Sequence, residues 1–236
     1  MPDGLTGLIL AGGLGTRMRP FTLHNPKSLI PVNGRPFLDI QLQLLAANGV
    51  SSVVLSTGYL GHKIEDYLEA HGSYGIDVSV SHEKEQLGTG GSIINSLHLL
   101  PEEFFLMYGD SYLLQPIAPV HAAFKKSGKL SMMTVLKQEG GTSENNCEIK
   151  GGMVVRYQKG QPKGTFSHMD YGLLFFRKSA FSRYGVKSFS TDVIFQDLIA
   201  GRQLAAFETA KPYYEVGSKE GLRNFTRYIE SVGGKK

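Results

Sequence analysis

The chain has little of several features that would place it in a special class. Among its 236 residues there is a single cysteine, Cys147, so no disulfide can form within the chain. The longest apolar runs, such as residues 172–176, are far too short to span a bilayer. The N-terminus has no basic segment ahead of a long apolar stretch. These absences predict a cytoplasmic protein with no membrane partner.

The chain also has little excess charge. Its 25 basic and 21 acidic residues give a net charge of +4, and the hydrophobic and charged fractions are 41% and 19%. No basic stripe with interleaved aromatic residues occurs, so the surplus is typical of a solvated surface and we expect no nucleic-acid partner. The length suits one large domain or two small ones, and we predict a single domain over 1–236.

Several catalytic and repeat motifs are missing. The seven histidines show no H-E-x-x-H spacing, and no G-x-S-x-G elbow is present, so neither a zinc site nor a hydrolase triad is supported. The sequence shows no internal repeat, and its C-terminal part shows no hexapeptide repeats. We therefore expect no C-terminal β-helix domain.

Strand-length apolar runs alternate with helical patterns through the first half of the chain. Strands are predicted over 5–11, 52–57, 77–82, 103–107 and 130–136. Helices are predicted over 36–48, 61–70, 90–100 and 119–127, and later over 192–200 and 218–229. This alternation is typical of an α/β fold with a mixed, mostly parallel sheet flanked by helices. The polar segment 140–146 is predicted to be an exposed loop.

The segment that follows the first predicted strand combines glycines with cations. Gly12, Gly13 and Gly15 can bring backbone N–H groups close to phosphate oxygens. Arg17, Arg19 and Lys27 would add positive charge around the same point. A tight strand-to-helix turn is the alternative interpretation of the glycines alone. The flanking cations favour phosphate binding.

Two better-known glycine-rich loops do not fit this segment. A Walker A loop needs glycine directly before Lys-Ser, whereas Pro26 precedes Lys27 here. A dinucleotide fingerprint would require a third glycine where the chain has Met18. The segment is therefore neither a Walker A loop nor a dinucleotide-binding loop.

An aspartate follows a buried strand at the point where parallel strands open into a crevice. Asp110 comes directly after Gly109 in the sequence FFLMYGD. A carboxylate at this place can hold Mg²⁺, which takes one or two carboxylates together with phosphate oxygens. An aspartate that caps the following turn is the alternative.

These motifs resemble those of the sugar-1-phosphate nucleotidyltransferases, the nucleotide-sugar pyrophosphorylases. The family pattern G-G-x-G-T-R followed by P-K is present near the N-terminus, and the likeness continues in EKEQLGTGGSI, MYGDSY, YQK and YEVGSKEGL. Heptose-1-phosphate guanylyltransferases and N-acetylmuramate-1-phosphate uridylyltransferases are the most similar members. The resemblance implies a Rossmann-like, GT-A-like fold with a nucleotide-binding half, 1–136, and a sugar-side half, 137–236.

The resemblance also implies an activity and its substrates. A nucleoside triphosphate and a sugar 1-phosphate would give a nucleotide sugar and pyrophosphate with the help of Mg²⁺, for surface-glycan or cell-wall sugar metabolism. Arg17, Lys27 and Asp110 would be catalytic. Nucleotide contacts are implied for Ala11, Gly12, Gly13, Gly15, Thr16, Arg17, Glu83, Gly88, Thr89 and Gly109.

On the sugar side, the resemblance assigns the phosphate-binding lysine to Lys159, with Lys163 as a competitor. Contacts with the sugar are implied for Asp170, Tyr171 and Gly172. Glu215 takes the place of the aspartate in the family's D-V-G motif, and it would join Asp110 as a metal ligand. Glu215 could instead interact with the dipole of the final helix.

Two other functions stay open from the sequence. A nucleotide-sugar-binding regulatory homologue without turnover would be compatible with glutamate in place of aspartate. A glycosyltransferase of a related fold would need a D-x-D motif, where the chain has Asp110-Ser111-Tyr112. The base, the sugar and a possible homo-oligomer are not determined by the sequence.

Overall fold

The computed structural model describes residues 4–138 and 145–233. Residues 140–144 of the predicted exposed loop lie outside these ranges. The rest of that prediction is wrong for Asn145, which is only 2% exposed because its side-chain amide donates to the Phe166 carbonyl at 3.0 Å. Within the described part of the chain, no helix is long and apolar enough to cross a membrane.

The described residues contain thirteen strands, of two to ten residues each. The strands are β1 (Leu5–Leu10), β2 (Pro31–Val32), β3 (Arg35–Pro36), β4 (Val50–Thr57), β5 (Asp77–His82), β6 (Glu103–Tyr108), β7 (Ser111–Leu113), β8 (Ser131–Lys137), β9 (Cys147–Lys150), β10 (Met153–Tyr157), β11 (His168–Arg177), β12 (Leu204–Thr209) and β13 (Tyr213–Glu215). The five strands predicted from apolar runs are confirmed with ends that differ by at most two residues. The short pairs β2–β3 and β7–β13 were not predicted.

Helices fill the gaps between the strands. They are α1 (Phe37–Ala47), α2 (Gly61–His71), α3 (Gly88–Ser96), α4 (Ile117–Ser127), α5 (Thr191–Ala200) and α6 (Lys219–Gly233). All six predicted helices are confirmed in place. The third begins two residues earlier than predicted, at Gly88, and ends at Ser96, where a 3₁₀ turn over Leu97–Leu99 continues it.

Nine of the described strands form one sheet in the order β5-β4-β1-β6-β11-β8-β12-β10-β9. The neighbours β5, β4, β1 and β6 run parallel, as do β8 and β12. Strand β11 runs antiparallel to both of its neighbours, β6 and β8. The sheet is therefore mixed, and β11 is inserted between β6 and β8, two strands from the first part of the chain. The predicted α/β fold is confirmed.

Apolar side chains cover both faces of the sheet. On one face, helices α1, α2 and α4 pack on alternate strand residues such as Ile9, Phe105 and Phe175. On the other face, α3 and α5 pack on their sequence neighbours, including Leu8 and Phe104. This alternation follows from the two-residue period of a strand buried on both sides. A third cluster around Phe37 and Phe225 holds α6 against α1 and β2.

The carboxyl ends of β1, β4 and β6 lie side by side at one edge of the parallel sheet. The amide of Ala11 donates to the Ser56 carbonyl at 2.8 Å, and the amide of Gly109 donates to the Leu10 carbonyl at 3.0 Å. A Cβ on Gly109 would lie only 2.6 Å from that same carbonyl oxygen. Glycine is required here because the two chains leave the sheet in close contact.

Candidate active site

A cavity of about 630 Å³ opens at this edge of the sheet. All of the residues assigned to the nucleotide, and Lys27 and Asp110, line it. The lining also contains residues that no sequence motif had marked as contacts. These additional residues include Ser28, Gln86, Ser92, Tyr108 and Gly217.

The glycines of the first turn have different roles. Gly15 has a left-handed backbone with φ of 60°, and a Cβ there would lie 2.8 Å from Thr22 Cγ2. The Thr22 hydroxyl donates to the Gly15 carbonyl at 2.8 Å and fixes this bend. A Cβ on Gly13 would have no atom within 4 Å, so the cavity side of the turn is open. Gly15 shapes the loop, and Gly13 leaves room for a ligand.

The Glu83 carboxylate packs against this glycine turn. Glu83 is only 8% exposed, so it is buried and is not a surface charge at the end of β5. Ser56 Oγ donates to Glu83 Oε1 at 2.9 Å, and the Leu87 amide donates to Oε2 at 3.3 Å. A Cβ on Gly12 would lie 3.2 Å from Oε1, so the carboxylate lies directly beneath the glycine turn. A contact between Glu83 and a base stays a prediction.

The second glycine-rich segment, residues 88–91, forms the first turn of α3 and packs against a segment from the later part of the chain. Gly88 and Thr89 line the cavity, as the nucleotide assignment requires. The Gly90 amide, however, donates to the Phe189 carbonyl at 2.9 Å. A Cβ on Gly91 would overlap the Lys187 carbonyl oxygen. Gly90 and Gly91 therefore allow close packing between two segments, whereas Gly88 and Thr89 line the cavity.

Two of the three charged residues assigned to catalysis, Lys27 and Asp110, meet in the cavity wall. Lys27 Nζ donates to Asp110 Oδ2 at 2.6 Å, and each side chain is 20% exposed. Lys27 begins a 3₁₀ turn directly after Pro26, and Asp110 lies between β6 and β7. The pair brings together two motifs that are 83 residues apart in sequence.

Backbone pairing places Glu215 beside Asp110. In the β7–β13 pair Glu215 is opposite Ser111, and the Val216 amide donates to the Asp110 carbonyl at 2.9 Å. A Cβ on Gly217 would lie 2.5 Å from Asp110 Oδ2, 3.0 Å from Glu215 Oε2 and 3.3 Å from Arg17 Nη2. Two carboxylates and a guanidinium thus surround Gly217, which leaves no space for a side chain.

Glu215 also holds the beginning of α6. Its Oε2 accepts from the Gly217 amide and its Oε1 accepts from Ser218 Oγ, both at 2.5 Å. Ser218 Oγ in turn accepts from the Gly221 amide at 2.9 Å and caps the helix. Glu215 thus interacts with the beginning of the final helix, which was the alternative to metal binding. Its side chain lines a neighbouring groove and not the cavity. Its role as a metal ligand stays a prediction.

The donor set around Gly217 suits Mg²⁺ bound together with a phosphate ligand. The described residues contain no cluster of three or more His, Cys, Asp or Glu side chains that could enclose an ion. Mg²⁺ does not need such a cage, because it keeps several waters and binds through one or two carboxylates plus substrate phosphates. Asp110 on the cavity wall and Glu215 across Gly217 are the two carboxylates that would hold the ion.

The sugar-side lysine lies outside this cavity. Lys159 Nζ forms an ion pair with Asp192 Oδ1 at 3.0 Å and lines a hollow of about 500 Å³ together with Tyr157 and Gln196. Lys163 is exposed and does not line this hollow. The position of Lys159 favours it over Lys163 as the phosphate-binding lysine.

Asp170 and Gly172 form a buried cluster with Tyr108, which lines the cavity. The Tyr108 hydroxyl donates to Asp170 Oδ2 at 3.1 Å, and the Gly172 amide donates to Oδ1 at 2.9 Å. A Cβ on Gly172 would lie 3.2 Å from Tyr108 Cδ2. Burial raises the pKa of the Asp170 carboxyl. Burial and the neighbouring Asp170 raise the pKa of Tyr108 well above its ordinary value, so its hydroxyl stays protonated.

The structure does not bring the Tyr171 side chain to the site. Successive side chains of a strand point to opposite faces, and Tyr171 lies between two residues that face Tyr108. Its ring is 1% exposed, and its hydroxyl accepts from the amides of Leu114 and Gln115 and donates to the Pro212 carbonyl. The side-chain contact with the sugar implied for Tyr171 is therefore replaced by a role in the core.

Comparison with known proteins agrees with this geometry. Residues 6–146 match the family model described as Nucleotidyl transferase. The chain belongs to this family. Mannose-1-phosphate guanylyltransferase catalytic subunit beta of Xenopus tropicalis is 30% identical over 236 residues, which cover 97% of this chain and 66% of that relative. The chain therefore spans slightly less than two thirds of that relative's length.

Solved structures show the same fold. HddC from Yersinia pseudotuberculosis, complexed with GMP-PN, has a TM-score of 0.79 at 23% identity and covers 95% of this chain and 99% of its own. A UDP-glucose pyrophosphorylase complexed with UDP-glucose has a TM-score of 0.80 at 16% identity, with 97% and 99% covered. Each match therefore covers nearly the whole chain.

Proposed function

We propose that this chain is a Mg²⁺-dependent sugar-1-phosphate nucleotidyltransferase of the cytoplasm. The observation that carries the proposal is the pairing of Lys27 with Asp110 in the wall of a glycine-lined cavity. A phosphate-binding cation and a metal-binding carboxylate are thereby placed where one triphosphate could contact both. Membership of the nucleotidyl transferase family supports the same reaction.

The proposed reaction requires that the two substrates are positioned and that the negative charge of their phosphates is neutralised. An oxygen of the sugar phosphate would attack the α-phosphorus of the nucleotide, forming one P–O bond while the bond to the β-phosphate oxygen breaks and pyrophosphate leaves. The attacking oxygen is already anionic, so no strong general base is required. Arg17 and Lys27 would stabilise negative charge on the triphosphate, and Lys159 would orient the incoming phosphate.

Asp110, with Glu215, would hold the metal ion between the two phosphate groups. When bound, Mg²⁺ would neutralise charge at the α-phosphate and on the leaving group. The glycine turn would place its backbone N–H groups against the nucleotide, and Glu83 would keep that turn in place.

We further propose guanine as the base and a mannose-type or heptose-type 1-phosphate as the second substrate. The guanylyltransferase relative and the structural neighbour crystallised with a guanine nucleotide analogue support this choice. The product would supply surface-glycan or cell-wall sugar metabolism.

The decisive experiment is a matrix of the four common NTPs against mannose, heptose, glucose and amino-sugar 1-phosphates, followed as Mg²⁺-dependent pyrophosphate release. Turnover that requires both substrates is expected for GTP with mannose or heptose 1-phosphate. A protein that binds nucleotide but never releases pyrophosphate would instead be the regulatory homologue. Activity with another base would contradict only the choice of guanine.

Two variants and a matched control test the phosphate contacts. Arg17→Ala and Lys27→Ala should each lower turnover by about a hundredfold or more, because each removes charge stabilisation from the reacting phosphates. Arg19→Ala removes the same charge from the same segment, but Arg19 does not line the cavity. Its turnover should stay within about twofold of wild type, since surface substitutions have small effects. Equal losses in all three variants would contradict the phosphate contacts.

A further inference from the structure

Residues 187–192, called the bridging segment below, pack closely against residues 88–91, the first turn of α3. The Phe189 amide donates to the Leu87 carbonyl at 2.9 Å, and the Phe189 carbonyl accepts from the Gly90 amide at 2.9 Å. A Cβ on Gly88 would lie 2.7 Å from that carbonyl oxygen. The position of this turn of α3 is therefore fixed by hydrogen bonds with a segment from the later part of the chain.

Thr191 of the bridging segment contacts a residue of the cavity wall, Thr89. Thr191 is 1% exposed, and its amide donates to Thr89 Oγ1 at 2.9 Å. The two threonine hydroxyl oxygens lie 3.1 Å apart. Because Thr89 lines the nucleotide cavity, Thr191 fixes a cavity residue without lining the cavity itself.

The next residue of the same segment contacts the sugar-side lysine. Asp192 Oδ1 lies 3.0 Å from Lys159 Nζ, and the Asp192 amide donates to Ser190 Oγ at 3.2 Å. Thr191 and Asp192 are adjacent residues in the first turn of α5. A displacement of this turn therefore moves the partners of Thr89 and of Lys159 together.

We propose that the bridging segment positions Thr89 and Lys159 jointly and so couples the binding of the nucleotide to the binding of the sugar phosphate. Thr191 and Asp192 are positioning residues in this scheme, and the proposal rests on the function proposed above. A ligand that orders one side restrains the turn of α5 and lowers the entropic cost of ordering the other side. By linkage the enhancement of affinity is the same in both directions.

The test measures binding instead of turnover. Calorimetric titrations would use α,β-methylene-GTP, whose α,β-linkage cannot be cleaved, and mannose 1-phosphate, each alone and in the presence of the other. Wild type should bind each ligand about threefold or more tightly when the other is present, which is within the usual range of coupling between sites. Equal affinities with and without the second ligand would overturn the proposal.

Gly91→Ala displaces the bridging segment from a distance. Gly91 does not line the cavity, but its new Cβ would overlap the Lys187 carbonyl oxygen. Both ligands should then bind more weakly by about threefold or more, comparable to the loss of one hydrogen bond. Gly185→Ala is the matched control, because a Cβ there has no atom within 4 Å and the affinities should not change. If Gly91→Ala weakens binding of the nucleotide but not of the sugar phosphate, the bridging segment positions only Thr89, and coupling is contradicted.

Thr191→Val and Asp192→Asn cover the case in which Gly91→Ala does not fold. Thr191→Val loses only the contact between hydroxyls, and Asp192→Asn loses the ion pair with Lys159. Each should lower the mutual enhancement of affinity, and the double variant should lower it by less than the two single effects combined. Full enhancement in both single variants would overturn the proposal.

The wild-type protein separates this inference from the proposed function. If wild type binds both ligands with enhancement but releases no pyrophosphate from GTP, the coupling stands and the enzymatic function does not. If it turns over without enhancement, the function stands and the coupling does not. A wild type that binds neither ligand contradicts both.

Discussion

Lys27 Nζ lies 2.6 Å from Asp110 Oδ2, and each side chain is 20% exposed. The protein therefore neutralises its proposed metal-binding carboxylate with its proposed phosphate-binding cation. A metal ion that approaches Asp110 alone must displace this ammonium, whereas a triphosphate offers Lys27 other oxygens. Metal and nucleotide should consequently favour each other's binding.

The first prediction concerns metal affinity without nucleotide. Lys27→Met should bind Mn²⁺ about tenfold more tightly than wild type, because Asp110 loses a competing cation at short range. Arg17→Met removes equal charge near Gly217 without vacating the oxygen that Lys27 occupies, so its affinity should rise by less. Electron paramagnetic resonance of free Mn²⁺ measures both. Equal gains in the two variants would show a general charge effect and contradict a specific competition.

The second prediction separates the two roles of Glu215. Glu215→Gln keeps a hydrogen-bond acceptor near Ser218 but loses charge, so Mg²⁺-dependent turnover should fall by about a hundredfold while unfolding changes little. Ser218→Ala should lower the free energy of unfolding by about 1 kcal/mol, because α6 loses its cap, with turnover largely retained. Pyrophosphate release and urea denaturation give the two readouts.

Glu215→Asp completes this comparison. It keeps the charge and shortens the reach, so substantial turnover is expected, with a changed preference between Mn²⁺ and Mg²⁺. Full turnover in Glu215→Gln would remove Glu215 from the metal site and leave it with its role at the start of α6.

The third prediction distinguishes two lysines of the sugar side. Lys159→Ala should raise the KM for the sugar phosphate by about tenfold or more and change the KM for the nucleotide far less, since hydrogen bonds to charged groups are among the stronger ones. Lys163→Ala is the matched control, and it should alter neither constant because Lys163 does not line the hollow. A larger effect at Lys163 would reverse the assignment.

The fourth prediction uses the buried carboxyl of Asp170. Burial raises the pKa of this carboxyl above its ordinary value of 3.8. At a pH between the ordinary pKa and the raised one, the folded state therefore holds a proton that the unfolded state has released. Stability should therefore fall as pH rises from about the ordinary pKa through the raised one. Asp170→Asn removes this loss and should have a higher Tm than wild type at neutral pH, with the difference shrinking below about pH 4. A difference in Tm that is independent of pH would contradict the assignment to this carboxyl.

Local patterns in the sequence predicted much of the fold and part of the site. The apolar runs of β1, β4 and β6 carry their own strand signal, and Gly12 with Lys27 indicates a phosphate loop through residue types and spacing alone. The meeting of Lys27 with Asp110 was implied only through the family resemblance. Nothing local to either residue specifies a partner 83 positions away.

Features that depend on long-range packing were not predictable. Glu83 looks like a charge at the end of a strand, and only the arrival of Ser56 and Leu87 makes it a buried support. Tyr108 looks like one more apolar strand residue, yet its hydroxyl reaches Asp170 across the sheet. Strands as short as β7 and β13 are too brief for a periodic pattern, and their pairing is fixed by the surrounding chain.

That short pairing of β7 with β13 has an evolutionary consequence. Asp110 and Glu215 lie at one end of this main-chain ladder. Just beyond its other end, the buried hydroxyl of Tyr171 joins the Leu114 and Gln115 amides to the Pro212 carbonyl. The spacing of the two carboxylates is set there and does not depend on the length of the chain that runs between the two strands. Sequence changes in that intervening region that leave the β7–β13 pairing intact should therefore keep the two acidic positions in register.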